Sequence, residues 1–336
     1  MTARLSVEGL SVAFRSEGRE TPVVHDVDFS LHDGETLALV GESGSGKSVT
    51  SMALMRLLPP SPRTRISGRA VLHGAEGADL LALPERAMRR LRGDRIAMIF
   101  QEPLTSLNPV HSVGAQIVEA IRCHRDVAPA AARRRAVELL EQVHIPEPEA
   151  RLRAFPHELS GGMRQRVMIA IALALEPDVL IADEPTTALD VTVQAQILEL
   201  LREMQARTGM AMLFITHNFG VLAEIAARTV VMYAGRVVEE AATDRLLTRP
   251  MMPYSAGLIR SVPRLETAGL CQGDLQSMDG FVPDPAAPPP GCAFHPRCAH
   301  ALPGRCDSTL PALEGAGGPG HRVRCLRWRE LSEAAA

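Results

Sequence analysis

Thr36-Leu37-Ala38-Leu39-Val40-Gly41-Glu42-Ser43-Gly44-Ser45-Gly46-Lys47-Ser48 is the stretch on which the fold turns. Thr36 to Val40 reads as a buried strand, the next eight residues match G-x-x-x-x-G-K-[ST], and Val49 to Leu58 is compatible with a helix. Phosphate recognition needs that order. Glycines let backbone N–H groups close around phosphate oxygens, and the helix N-terminus adds its positive dipole. In this setting Gly41, Ser43, Gly44, Ser45, Gly46 and Val49 belong to the nucleotide cradle. Lys47 would reach the β- and γ-phosphates of a nucleoside triphosphate, and the Ser48 hydroxyl would bind Mg²⁺. A chance glycine-rich turn would not be flanked by a strand on one side and a helix on the other.

Farther along, Leu180-Ile181-Ala182-Asp183-Glu184 is an apolar strand that delivers two carboxylates at its end. Alone, such a pair is more often a solvated turn. Beside a phosphate loop, Asp183 becomes a Mg²⁺ ligand, and Glu184 the group that polarises the attacking water. The surrounding pattern predicts an α/β chain. Leu5, Val7, Leu10, Val12 and Phe14 alternate loosely, and helix-like stretches dominate about 112 to 175, including Ala130 to Val143. Strands at Val179 to Ala182, Met212 to Thr216 and Arg228 to Tyr233 alternate with a helix at Val191 to Arg207. That alternation points to a parallel sheet covered on both faces.

Composition narrows the function. The 336 residues are 46% hydrophobic and 22% charged with net charge −3, so no global basic footprint for nucleic acid exists. Aromatics are only 3%, which leaves the core to aliphatic residues and Met. The first residues lack the apolar run of a signal peptide, and Val167 to Leu175 is too short to span a bilayer. The expectation is a cytosolic chain with reduced cysteines, reaching a membrane only through partner chains.

The composition changes after about residue 240. Pro283, Pro285, Pro288, Pro289 and Pro290 favour an extended linker, and Cys292, Cys298, Cys306 and Cys325 follow with five, seven and eighteen residues between them. A region this small is often stapled by a metal. Zinc usually shows a tight C-x₂₋₄-C pair, which is missing, whereas four irregularly spaced thiolates suit a [4Fe–4S] cluster as well or better. The order of preference is cluster, then zinc, then four unligated thiols, and in a zinc site His295 could replace one thiol. Cys123 and Cys271 read as ordinary thiols. A cluster there is expected to be structural, and replacing Cys298 with Ser to leave the chemistry at Lys47 largely intact.

Leu159-Ser160-Gly161-Gly162-Met163-Arg164-Gln165 resembles the signature sequence of ABC ATPases, and it stands 23 residues before Asp183 (183 − 160), as in that family. The resemblance implies two such domains packed head to tail. Ser160, Gly161 and Gly162 of one would meet the γ-phosphate held by the other, although the same residues also make an ordinary capped helix start. It further implies roles for single residues. Gln101 would link Mg²⁺ and γ-phosphate to the membrane partner, and His217 would hydrogen-bond the γ-phosphate. Asp190, in Ala188-Leu189-Asp190, would cross the dimer interface, and Phe14 would stack on adenine where Tyr is commoner. Taken singly, His217 and Phe14 would be satisfied core residues.

The resemblance covers about residues 4 to 260. It implies an ABC-type phosphate-loop fold for residues 1–260, with a RecA-like parallel core, an antiparallel β subdomain and a helical subdomain at about 104–175. Residues 261–336 form the Cys-containing extension. Ser160 stands only 113 positions after Lys47 (160 − 47), without heptads, so the long coiled coil of DNA-repair members is absent. One ATPase domain and no fused membrane domain leave a stand-alone importer subunit. Gln101 to Pro109, Phe155-Pro156-His157-Glu158, Pro253 to Leu258 and Gly291 to Cys298 resemble the oligopeptide/dipeptide/nickel importer subfamily, nearest its dipeptide-importer ATPases.

That implies two membrane-spanning permeases, a second ATPase subunit, an extracytoplasmic binding protein, a place on the cytoplasmic face of the membrane, and no nucleic acid. Nickel, glutathione or another small solute are alternative cargoes. A soluble ATPase acting on ribosomes or nucleic acid, and a regulatory subunit that binds ATP without turnover, are the readings from other classes; intact Lys47, Asp183, Glu184 and His217 speak against the second.

Overall fold

The computed structural model describes residues 2–16, 18–74, 77–187, 189–261 and 278–334. These fall into two compact units. One comprises Met1–Leu5, Leu31–Glu35 and His73–Phe214, the other Ser6–Ser30, Thr36–Leu72 and Ile215–Ala336. Strands in chain order are β1 (Ala3–Ser16), β2 (Arg19–His32), β3 (Thr36–Val40), β4 (Thr64–Leu72), β5 (Ala78–Asp79) and β6 (Ile96–Ile99). They continue as β7 (Val179–Asp183), β8 (Ala211–Thr216), β9 (Arg228–Tyr233), β10 (Arg236–Ala242), β11 (Glu314–Gly315) and β12 (Arg322–Val323).

In the first unit β6 and β7 pair in parallel, Ile96 opposite Val179 and Ile99 opposite Ala182, and every residue of both strands is buried. Burial on both faces explains why these strands read as continuous apolar runs rather than as alternating ones. Asp178, just ahead of β7, is held by Arg95 and by Arg4, whose Nη1 lies 3.4 Å away, so two cations fix the entry to the acid-bearing strand. The expected helical segment is present as Val113–Arg122, Pro129–Gln142 and Gly161–Ala172, with short turns at Pro103–Ser106 and Pro148–Arg151. Ser112 caps the first of these by accepting from the Ala115 N–H, and Pro129 opens the second, where a missing N–H costs nothing. Ile117, Ile121, Ala136, Leu139, Leu140 and Val167 close the helix-helix core. Each buried Leu or Ile contributes about 1.5–3 kcal/mol.

In the second unit the order is β11-β12-β10-β9-β3, with β2-β1-β4 as a separate group. β3 and β9 run parallel, Leu37 opposite Arg228 and Val40 opposite Val231. β9 turns back into β10 through Ala234 (φ 45°) and Gly235 (φ 74°), the two positive φ values that a tight hairpin of matching twist requires. The extension then returns: β12 pairs antiparallel with β10, placing Val323 opposite Glu239 and Arg322 opposite Glu240. The helix expected from Val49 to Leu58 instead runs Lys47–Leu54, because Arg56 turns to φ 51° ahead of Pro59-Pro60. No helix among the described residues is long and apolar enough to cross a membrane.

Candidate functional site

The phosphate loop is built by backbone geometry. Gly41 sits at φ 153° so close to β9 that a Cβ there would come within 2.2 Å of the Met232 carbonyl oxygen. Gly46, at φ 100°, is the N-cap of Lys47–Leu54 and offers that helix no side chain. Leaving the cap open keeps the helix's first N–H groups available to an anion. The Gly235 N–H donates to the Ser45 carbonyl at 2.9 Å, tying the loop to the β9–β10 hairpin. Lys47 is nearly enclosed, at 5% exposure, and its ammonium donates to the Gly41 and Glu42 carbonyls at 2.8 and 3.0 Å. In the same unit, Ser48 and Val49 occupy the first turn of the helix, Phe14 is half-buried on β1, and His217 is exposed just past the end of β8.

The first unit holds the acids. Asp183 is buried at the carboxyl end of β7, 4% exposed. Glu184 follows at φ 47°, a left-handed conformation that non-glycine residues rarely adopt, and one that marks sites where geometry outranks local strain. Its carboxylate is aimed by two donors: Gln101 Nε2 at 3.0 Å and Thr187 Oγ1 at 2.9 Å both donate to Oε2. The structure thus brings Gln101 onto Glu184 itself, a pairing across 83 residues that no local pattern announces.

Ser160 caps Gly161–Ala172, its hydroxyl accepting from the Met163 N–H at 3.3 Å. Gly162 packs on the helix Val191–Thr208, where an added Cβ would lie 3.0 Å from Val193 Cγ1, whereas a Cβ on Gly161 would meet nothing within 4 Å. Asp190 caps that same helix through the Val193 N–H, and Val191 beside it is 82% exposed. Ala188 lies outside the described residues.

In the extension Cys292, Cys298, Cys306 and Cys325 carry free thiols and line one small cavity with His295 and His300. Burial raises the thiol pKa of Cys292 and Cys298, and pushes that of Cys325 up to about 11. Among the described residues no three His, Cys, Asp or Glu side chains stand close enough to hold a single metal ion. Cys123 is exposed, and Cys271 lies outside the described residues.

One contact was invisible in the sequence. Arg297, between the first two of these cysteines, forks onto Glu42 of the phosphate loop, Nη1 to Oε2 at 2.6 Å and Nη2 to Oε1 at 2.9 Å. Around it, Tyr233, Tyr254 and Phe294 pack with centroids 4.5 to 5.3 Å apart, and the Glu42 N–H donates to Tyr254 Oη at 2.9 Å. Burial raises both phenol pKa values. The only hint was economy: a chain with just two tyrosines places both here.

A glycine-built phosphate loop, an acid pair ending a buried strand and a Ser-Gly-Gly helix start together define an ABC-type ATPase. The chain belongs to the ATP-binding family of ABC transporters. Residues 24–187 match the model described as ABC transporter, and residues 238–306 that described as oligopeptide/dipeptide transporter, C-terminal region. It is similar to a putative peptide import ATP-binding protein of Brucella abortus, 51% identical over 98% of each chain. It is also similar to the oligopeptide transport ATP-binding protein OppD of Bacillus subtilis, 50% identical over 90% of this chain and 83% of that one. Among solved structures, an ATP-binding cassette in a dimeric post-hydrolysis state with ADP and Pi superposes at TM-score 0.62 and 26% identity, covering 71% of this chain and 98% of that one.

Proposed function

We propose that this chain is the ATP-hydrolysing subunit that energises import of di- or oligopeptides, on the cytoplasmic face of the membrane. It would work with two permeases, a second ATPase subunit and an extracytoplasmic binding protein. The observation that carries the cargo is the match of residues 238–306 to the oligopeptide/dipeptide-specific region, in a chain whose peptide-import relative aligns over 98% of its length. Lys47 and the loop N–H groups bind the β- and γ-phosphates, Phe14 stacks on adenine, and Ser160, Gly161, Gly162 and Asp190 serve the facing subunit's nucleotide. Ser48, Gln101 and Asp183 would hold Mg²⁺, for which a hydroxyl, an amide and a carboxylate are a fitting hard-oxygen set; the ion offsets phosphate charge. Glu184, aimed by Gln101 and Thr187, takes the proton of the attacking water, and His217 reports the γ-phosphate. ATP favours the closed pair of ATPase domains, and loss of the γ-phosphate releases it.

Glu184→Gln is expected to keep MgATP binding while turnover in the reconstituted, peptide-supplied transporter falls about 10²–10⁴-fold. Near-wild-type hydrolysis would remove Glu184 from the role. The four thiols around one cavity support a [4Fe–4S] cluster ahead of zinc, since a cluster spreads its thiolates over four irons whereas one ion gathers them at a point. Such a cluster would cross-link the extension. Metal analysis of anaerobically purified protein is expected to find roughly four irons per chain; stoichiometric zinc would reverse the order.

A further inference from the structure

The Arg297–Glu42 fork joins two segments 255 residues apart in sequence, and it is well enclosed: the Arg297 side chain is 5% exposed and that of Glu42 28%. Arg297 is fixed from several directions. Its Nε donates to the Asp279 carbonyl at 3.0 Å, and its guanidinium lies 5.8 Å from the Tyr233 centroid and 5.9 Å from that of Phe294. The turn that carries it, His295–Arg297, is stitched at both ends to cysteines, the His295 N–H donating to the Cys292 carbonyl and the Cys298 N–H to the His295 carbonyl.

Glu42 is the residue through which this grip reaches the nucleotide-binding machinery. Its carbonyl accepts from the Lys47 ammonium, its N–H is held by Tyr254, and its carboxylate is an anion on a loop that has to receive a triphosphate. Left unpaired, that charge would repel phosphate, and the repulsion is strong where water is partly excluded. A bidentate guanidinium neutralises it and fixes its direction, which a lysine point charge does less well.

We propose that Arg297 is a positioning residue of the phosphate loop: the cysteine-bearing extension holds Glu42 neutralised and turned aside, and so sets the affinity for MgATP. The proposal rests on the reading of Gly41 to Ser48 as the phosphate loop, and is independent of what the four thiols hold.

Equilibrium binding of MgATP to the full chain tests it, with melting temperature followed in parallel. Arg297→Met is expected to weaken binding about tenfold. In a Glu42→Gln background, where no carboxylate remains to be neutralised, the same change is expected to cost less than about threefold. That loss of effect is what general damage to the extension would not produce. Arg297→Lys, which keeps the charge and loses the fork, is expected to fall between, and carries the test if the Met variant does not fold. Wild-type affinity in Arg297→Met, or an undiminished loss in the Glu42→Gln background, overturns the proposal. Lys47→Ala serves as the reference: if it too leaves MgATP affinity unchanged, the phosphate-loop reading itself fails, an outcome distinct from failure at Arg297 alone.

Discussion

Two glycine segments start helices in this chain, and they are built on opposite logic. The phosphate loop is fastened inward: Gly41 has no room for a Cβ against the Met232 carbonyl, the Gly235 N–H holds Ser45, and Lys47 is folded into its own loop. The Ser160-Gly161-Gly162 start is fastened only in part. Ser160 satisfies the Met163 N–H and Gly162 fits against Val193, but Gly161 is exposed with open space where a side chain would be. The fold gives a reason for glycine at 41 and 162 and none at 161. The open space over Gly161 leaves room for the proposed facing subunit.

Placing a side chain in each segment sharpens or breaks this contrast. The larger effect is expected from Gly161→Glu: turnover of the assembled transporter should fall about 10²-fold or more, the cost of spoiling one preorganised anion site. The isolated chain should meanwhile melt and bind MgATP as before. If the isolated chain is destabilised instead, Gly161 has an internal role and the contrast is lost. Gly41→Ala should do the reverse, lowering the stability of the isolated chain by about 2–3 kcal/mol in denaturant titration, because both the positive φ and the Met232 carbonyl oppose a Cβ. An unaltered midpoint would mean that the loop can shift to make room.

Local signals carried most of the architecture. Thr36–Val40 and Arg228–Tyr233 are strands with the bounds expected from their apolar runs, and the helix expected from Val191 to Arg207 runs Val191–Thr208. What sequence could not announce is pairing at long range. Gln101 on Glu184 and Arg297 on Glu42 join polar residues whose surroundings have no period, and each residue alone reads as a solvated side chain. β12, at two residues, is too short to alternate. The fork onto Glu42 puts the extension one residue from the loop's first glycine.

β10 is bordered by β9 on one side and β12 on the other. Without β12 its outer rim would be a row of open N–H and C=O groups, the kind of template on which chains stick to one another. Two buried carboxylates there would also each lose a partner: Glu239 its hydrogen bond with His321 Nε2 at 2.7 Å, and Glu240 its ion pair with Arg322, while Arg228 of β9 stays beside it. The covering strand lies some eighty residues downstream, with Glu240 and its partner Arg322 82 apart. During synthesis the rim therefore waits, unpaired, while the proline-rich stretch and Cys292, Cys298 and Cys306 are made. That interval leaves the rim open to other chains, and it ends when β12 covers β10.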